Sequence, residues 1–276
     1  TKKRAQEKLS SFVIKIGYPD KWMDYSALNI DEHKSYYQNL EAATRFMQAD
    51  NLKDLGKPVD RTKWLMSPQE VNAYYMPTTN EICFPAGILQ PPFFNMDADD
   101  AVNYGAIGVV IGHEMTHGFD DEGSNFDKDG NMNNWWTEED RKKFEAATQR
   151  LAKQFSSVTV APGLKANGQL TLGENIADQG GLTIAYLALQ MANEGKQVAK
   201  LDGFTPDQRF YIAYARLWGQ NITEAEIRRL TKLDPHSLGL LRVNQALRNI
   251  DPFYKAFNIR PKDKMYTAPK DRVVVW

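Results

Sequence analysis

Residues 102–121, VNYGAIGVVIGHEMTHGFDD, decide how the rest of the chain is read, because an apolar run carries His113, Glu114 and His117 in one H-E-x-x-H pattern. Read as a helix of about 3.6 residues per turn, the segment puts both imidazoles one turn apart on a single face. Two nitrogens converging on one point suit a tetrahedral metal ion with ligand distances of about 2.0 to 2.1 Å, as zinc requires. Glu114 then stands beside the ion rather than on it, where its carboxylate can take a proton from a water that the cation has made more acidic. The competing reading is two surface histidines that share this spacing by accident. What decides between them is whether the chain supplies a third ligand, groups that orient the imidazoles and a groove for substrate.

The candidate third ligand is Glu174, in LGENIADQGG at residues 172–181, with Asp178 four residues on. The pair shares one helical face, so Glu174 can reach a metal while Asp178 accepts the N–H of a ligating imidazole. Gly180 and Gly181 are costly inside a helix and imply that another backbone packs closely there.

Composition bounds the rest. A chain of 276 residues with 42% hydrophobic and 25% charged residues has the balance of a soluble globular protein with a sizeable core. A net charge of −1 supplies no basic field for nucleic acid. The one cysteine, Cys83, excludes an internal disulfide and a cysteine-based metal cluster. No apolar run has the length of a membrane span, and Thr1 opens directly into a charged helical pattern. The missing initiator methionine points to a fragment or a processed chain. The compartment stays open, with a bacterial cell envelope or periplasm the expectation if a targeting signal lies upstream.

In chain order, helical spacing predicts helices over residues 1–16 and 31–55. A strand, turn and strand come next at residues 71–76, 77–80 and 82–84. Asn125, Asp127, Asp129 and Gly130 resemble the start of a calcium loop, but Trp136 stands where the bidentate glutamate belongs, so a plain turn is expected. Thr137 caps a helix to about residue 155, and residues 161–168 form a polar connector. Further helices are expected from residue 170 to Gly195, from Thr205-Pro206 to Trp218, from Thr223 to about Lys232, and through most of the tail from Ser237.

Several of these stretches carry a resemblance to a known family: VNAYY, FPAGILQPPFF, IGHEMTHGFDDEG, NFDKDG, WWT, LGENIADQGGL, DPHS followed by Arg242, and the terminal VW. The chain resembles the neprilysin family of zinc metallopeptidases over almost its whole length, and most of all that family's bacterial oligopeptidases. The resemblance implies a mainly helical α+β, thermolysin-like zincin domain with a small β-sheet, filling residues 1–276 as one catalytic domain. It implies one Zn2+ ion held by His113, His117 and Glu174, Glu114 as base, Asp178 and Asp120 behind the histidines, and His236 steadying the oxyanion. Asn72 and Ala73 would pair with substrate backbone on a strand edge, and Arg242 would grip a peptide carbonyl or carboxylate. Ile88, Phe93, Val109, Val110, Leu217 and Trp218 would line a pocket for the side chain just after the cleaved bond.

Two departures stand out. Vertebrate members end in C-x-x-W and carry another cysteine where Gly219 follows Trp218, whereas this chain ends Val273-Val274-Val275-Trp276. The family's long helical N-terminal half, which encloses the active site, has no counterpart here, so that half is an expected partner along with the peptide substrate. The expected activity is endopeptidase cleavage of short peptides on the amino side of large hydrophobic residues. The rival readings are a noncatalytic peptide-binding module on the same scaffold and a metal-dependent hydrolase of other substrates, the latter disfavoured by VNAYY.

Overall fold

In this computed structural model, which describes residues 1–275, helix α1 (Lys2–Ser10) gives way to strand β1 (Val13–Gly17). The single helix expected over residues 1–16 is thereby corrected. Val13, Ile14 and Ile16 are β-branched, and β1 pairs in parallel with a strand nearly seventy positions away, which local periodicity cannot reveal. Helix α2 (Tyr36–Leu52) is shorter than the expected 31–55, because Ser35 and Gln38 form a capping box that sets its start.

Strands β2 (Tyr74–Met76) and β3 (Glu81–Pro85) form the expected hairpin, in a sheet ordered β1-β3-β2 that leaves β2 as an edge. The ladder begins three residues later than expected, so Asn72 and Ala73 lie just ahead of it. Asn80 ends the turn at φ 49°, a left-handed conformation that asparagine tolerates.

Residues 102–121 are not one α-helix. Helix α3 (Asp100–Asn103) runs into a π-helical turn (Tyr104–Gly108) and then into α4 (Val109–His117). Such wide turns insert one residue into a helix and re-aim the residues beyond it. Here the turn lies against a later helix so tightly that a Cβ on Gly105 would stand 2.1 Å from the Phe210 carbonyl oxygen.

Helix α5 (Glu138–Ser156) starts at the expected Thr137 cap. The connector after it contains a small hairpin, β4 (Thr159–Ala161) and β5 (Leu164–Lys165), turned by Gly163 at φ 70°. Helices α6 (Leu172–Ala192), α7 (Pro206–Leu217), α8 (Glu224–Leu233), α9 (Gly239–Leu247) and α10 (Asp251–Phe257) complete a mainly helical α+β chain. Trp276, the last residue of the terminal motif, lies outside the described residues. Among those described, no helix is long and apolar enough to cross a membrane.

Helices α4 and α6 approach at glycines, as Gly180-Gly181 implied. A Cβ on Gly112 would lie 2.9 Å from the Gly181 Cα, and one on Gly181 would lie 2.6 Å from the Val109 carbonyl oxygen. Helix α6 is the hub: Leu182 and Leu189 pack with Phe210, Tyr211 and Tyr214 of α7, and Ile176 packs with Leu151 and Phe155 of α5. Full burial of each such side chain contributes about 1.5–3 kcal/mol. The face of α6 that carries Glu174 and Asp178 is thus fixed in position from behind. In the loop after α4, Asp127 Oδ1 accepts the backbone N–H groups of Asp129 and Asn131, which makes the stretch a turn built on its own carboxylate.

Candidate metal centre

Helical spacing in α4 stacks His113 and His117 with ring centroids 4.6 Å apart and planes at 89°. Their Nε2 atoms are 3.0 Å apart. Because α6 comes so close, Glu174 in its first turn places Oε2 3.2 Å from His113 Nε2 and Oε1 3.5 Å from His117 Nε2. One ligand atom from each of the three residues lies within 4.8 Å of the others.

The far sides of both rings are held. His113 Nδ1 donates to Asp178 Oδ1 at 2.9 Å, and His117 Nδ1 donates to Asp120 Oδ2 at 2.7 Å. With both Nδ1 atoms donating, both Nε2 atoms turn lone pairs toward each other and toward Glu174, whose Oε2 is buried without a hydrogen-bond partner. Three electron-rich atoms aimed at one point repel, and a cation removes the conflict. The donor set of two imidazoles and one carboxylate fits zinc with a position left open. Without the metal a proton answers the same field. Burial pulls His113 down, but the bond to Asp178 and the negative charge of the adjacent Glu174 outweigh it and push its pKa up to about 10.

The remaining electrostatics reflect burial and partners. Asp178 is 1% exposed, and burial would raise its pKa, but the Arg242 guanidinium and His113 hold it below the usual carboxylate range. Arg242 spends Nε and Nη2 on Asp178, both at 2.7 Å, and stacks 3.8 Å from the Trp218 ring centroid. Two of the guanidinium donors expected to face substrate therefore hold the carboxylate that orients His113. Glu114 is buried, and desolvation raises its pKa against the pull of His113 and His117.

A cavity of about 630 Å³ opens over this cluster and is lined by Asn72, Ala73, Ile88, Phe93, Val109, Val110, Trp218, His236 and Arg242. Leu217 is not among its lining residues, a correction with a helical cause. Neighbouring residues at the end of α7 point about 100° apart, so when Trp218 takes the wall Leu217 turns elsewhere. His236 approaches from the loop before α9, its Nε2 3.3 Å from Glu174 Oε1, and its Nδ1 donates to Asp234 Oδ1 at 2.8 Å. Asp234 was not singled out from the sequence, although an aspartate two residues before a histidine is the spacing of an Asx turn, and Asp234 also accepts the His236 backbone N–H. Glu122 and Gln220, which also line the cavity, carry no such signal.

The family model described as Peptidase family M13 matches residues 72–273. The chain belongs to that family. Among curated members of the family, the neutral endopeptidase of Lactobacillus helveticus is 40% identical over 100% of this chain and 41% of its own length. Human neprilysin is 39% identical over 100% of this chain and 38% of its own length. Among solved structures, the zinc metalloprotease ZMP1 of Mycobacterium tuberculosis in complex with an inhibitor superposes with a TM-score of 0.95 at 46% identity, over 99% of this chain and 42% of that one. The chain thus spans about two fifths of the length of these family members, a zinc metallopeptidase family whose fold it shares.

Proposed function

We propose that the chain is the catalytic domain of a zinc-dependent endopeptidase, one domain over its 276 residues, that cleaves short peptides on the amino side of large hydrophobic residues. The observation that carries this reading is the convergence of His113, His117 and Glu174, with Glu114 buried beside them, in a cleft that Asn72 and Ala73, just ahead of edge strand β2, also line. A single zinc ion at the three ligands would supply Lewis acidity to the attacked carbonyl and to the attacking water.

Each residue then has a task of its own. An extended peptide adds to the edge at Asn72 and Ala73, so main-chain hydrogen bonds set its register while the pocket walls choose the side chain. Ile88, Phe93, Val109, Val110 and Trp218 make that pocket apolar, which favours a large hydrophobic residue just after the cleaved bond. Glu114 takes the proton from the attacking water and returns it to the leaving amine, and desolvation, by raising its pKa, brings it closer to the range a base needs at neutral pH. His236, steadied by Asp234, donates to the oxygen that gains charge, and the remaining guanidinium donors of Arg242 serve a peptide carbonyl or carboxylate. Asp178 and Asp120 hold the ligating rings in the tautomer that leaves Nε2 free.

The partner that would close the cleft is an upstream half of the same protein, in keeping with the greater length of the relatives. The test is metal analysis of the purified chain beside cleavage of a fluorogenic peptide series. One zinc per chain with cleavage before Phe or Leu is expected. Zinc without cleavage of any peptide, even with the upstream half supplied, would favour the noncatalytic reading.

A further inference from the structure

Lys8 of α1 is 1% exposed, far from water for an ammonium. Its Nζ donates to the carbonyl oxygens of Gly118, Gly123 and Phe126, each at 2.7 Å, so all three ammonium N–H groups are satisfied. The rings of Tyr75, Phe119 and Trp135 surround it with centroids at 5.7, 5.7 and 5.9 Å. Burial lowers its pKa to about 8, with the charges of Asp120 and Asp127 acting against the shift.

The three carbonyls bracket the loop that leaves α4 immediately after His117, and that loop carries Asp120. Asp120 Oδ1 accepts the backbone N–H groups of Glu122 at 2.9 Å and Gly123 at 2.7 Å, while its Oδ2 accepts a hydrogen bond from His117 Nδ1. Gly123 is therefore shared: its carbonyl accepts from Lys8 and its N–H donates to Asp120. No other residue type fits there, because a Cβ on Gly123 would stand 1.8 Å from the His117 carbonyl oxygen. The same lysine reaches the opposite rim through its own carbonyl, which accepts from Asn80 Nδ2 at 3.0 Å. Asn80 Oδ1 in turn accepts from the Tyr75 hydroxyl at 2.9 Å, and Tyr75 lines the cleft.

We propose that Lys8 is a positioning residue for the metal centre: its ammonium clamps residues 118–126 so that Asp120 meets His117, and it ties that loop to the β2–β3 hairpin. The inference rests on the zinc reading above. A lysine that only filled space could be replaced by an apolar side chain of similar length without consequence for the metal. A lysine that aims three carbonyls cannot, because removing it leaves buried acceptors unpaired and frees the loop to drift.

The test measures zinc affinity by chelator competition and apo-chain melting for the parent, Lys8→Met, Asp120→Asn and the double variant, with the exposed Lys3→Met as control. Lys8→Met is expected to weaken zinc about tenfold, and by much less when Asp120→Asn is already present, since the two act in series. Hydrogen exchange at the Glu122 and Gly123 amides should accelerate in Lys8→Met and stay unchanged in Lys3→Met. Unaltered affinity, or a loss of equal size with and without Asp120→Asn, overturns the proposal even if melting falls, because a purely structural lysine would behave that way. Should Lys8→Met fail to fold, Lys8→Arg decides: it keeps the charge but not the three-carbonyl geometry, so weaker zinc at near-parent melting supports the clamp and parent-like zinc overturns it. Absence of zinc from the parent chain would overturn the zinc reading itself, and the clamp with it, before any variant is compared.

Discussion

Two regions of this molecule handle apolar and polar side chains in opposite ways. Around α4, α6 and the 118–126 loop, glycines bring backbones into contact, Ile176 and Leu182 are fully buried, and almost every buried charge has a named partner. In residues 18–66, by contrast, Trp22, Tyr37 and Leu55 are 61%, 72% and 83% exposed, and α2 buries no residue at all. A capping box and the Tyr25–Phe46 ring pair at 5.8 Å are among the few interactions that hold α2. The candidate metal site therefore sits in closely packed surroundings, while the second region exposes many large apolar side chains of the kind that are ordinarily covered.

Substitutions at the proposed catalytic carboxylates put the first half of that contrast under the greatest strain. Glu114→Gln is expected to lower turnover by about 10²-fold or more while zinc stays bound, and Glu174→Ala should lose both metal and activity. Peptide cleavage assays run beside metal analysis check the pair, and an active Glu114→Gln would remove Glu114 from its assigned role. Asp178→Asn comes next, with metal affinity or rate expected to fall roughly 10- to 100-fold. Equal zinc titrations for variant and parent would reduce Asp178 to a packing partner of Arg242.

Supplying the proposed upstream half tests the other region. Cleavage of short peptides should then speed up on the order of tenfold and show a sharper length limit, because an enclosed cleft holds substrate and excludes water. Identical kinetics over a peptide length series would mean that this chain already contains its whole enclosure.

Subtler effects separate the regions by stability. Asp121 is an exception within the well-partnered one: burial, then the neighbouring Asp120, raise its pKa to about 6, and its Oδ1 has no partner. A carboxyl whose folded pKa lies above its unfolded 3.8 costs stability as pH rises from 3.8 to about 6. Asp121→Asn should therefore raise the melting temperature at pH 7, with the gain fading as pH falls toward 4; thermal melts across that range provide the check. The smallest effect belongs to α2. Tyr37→Ser should change the stability of the isolated chain by no more than about 0.5 kcal/mol, while sedimentation shows less self-association. A large loss of stability would show that the region is not loosely held after all.

What could be read from the chain was whatever depends on near neighbours. His113 and His117 share a face because i and i+4 do so in any helix, and Glu174 with Asp178 obeys the same rule two helices later. Thr137, Thr205 and Thr223 announced helix starts because capping is a contact across three residues. Tertiary structure decided the rest. Residues 13–17 became a strand because β3 offered a partner, which outweighed a helical pattern. Arg242 turned to Asp178 because a buried carboxylate needs a counter-charge more than an open cleft does. Lys8, an ordinary surface lysine by its sequence context, became a buried clamp because folding carried three carbonyls more than a hundred residues away to its ammonium, and no local pattern encodes contacts that only chain closure creates.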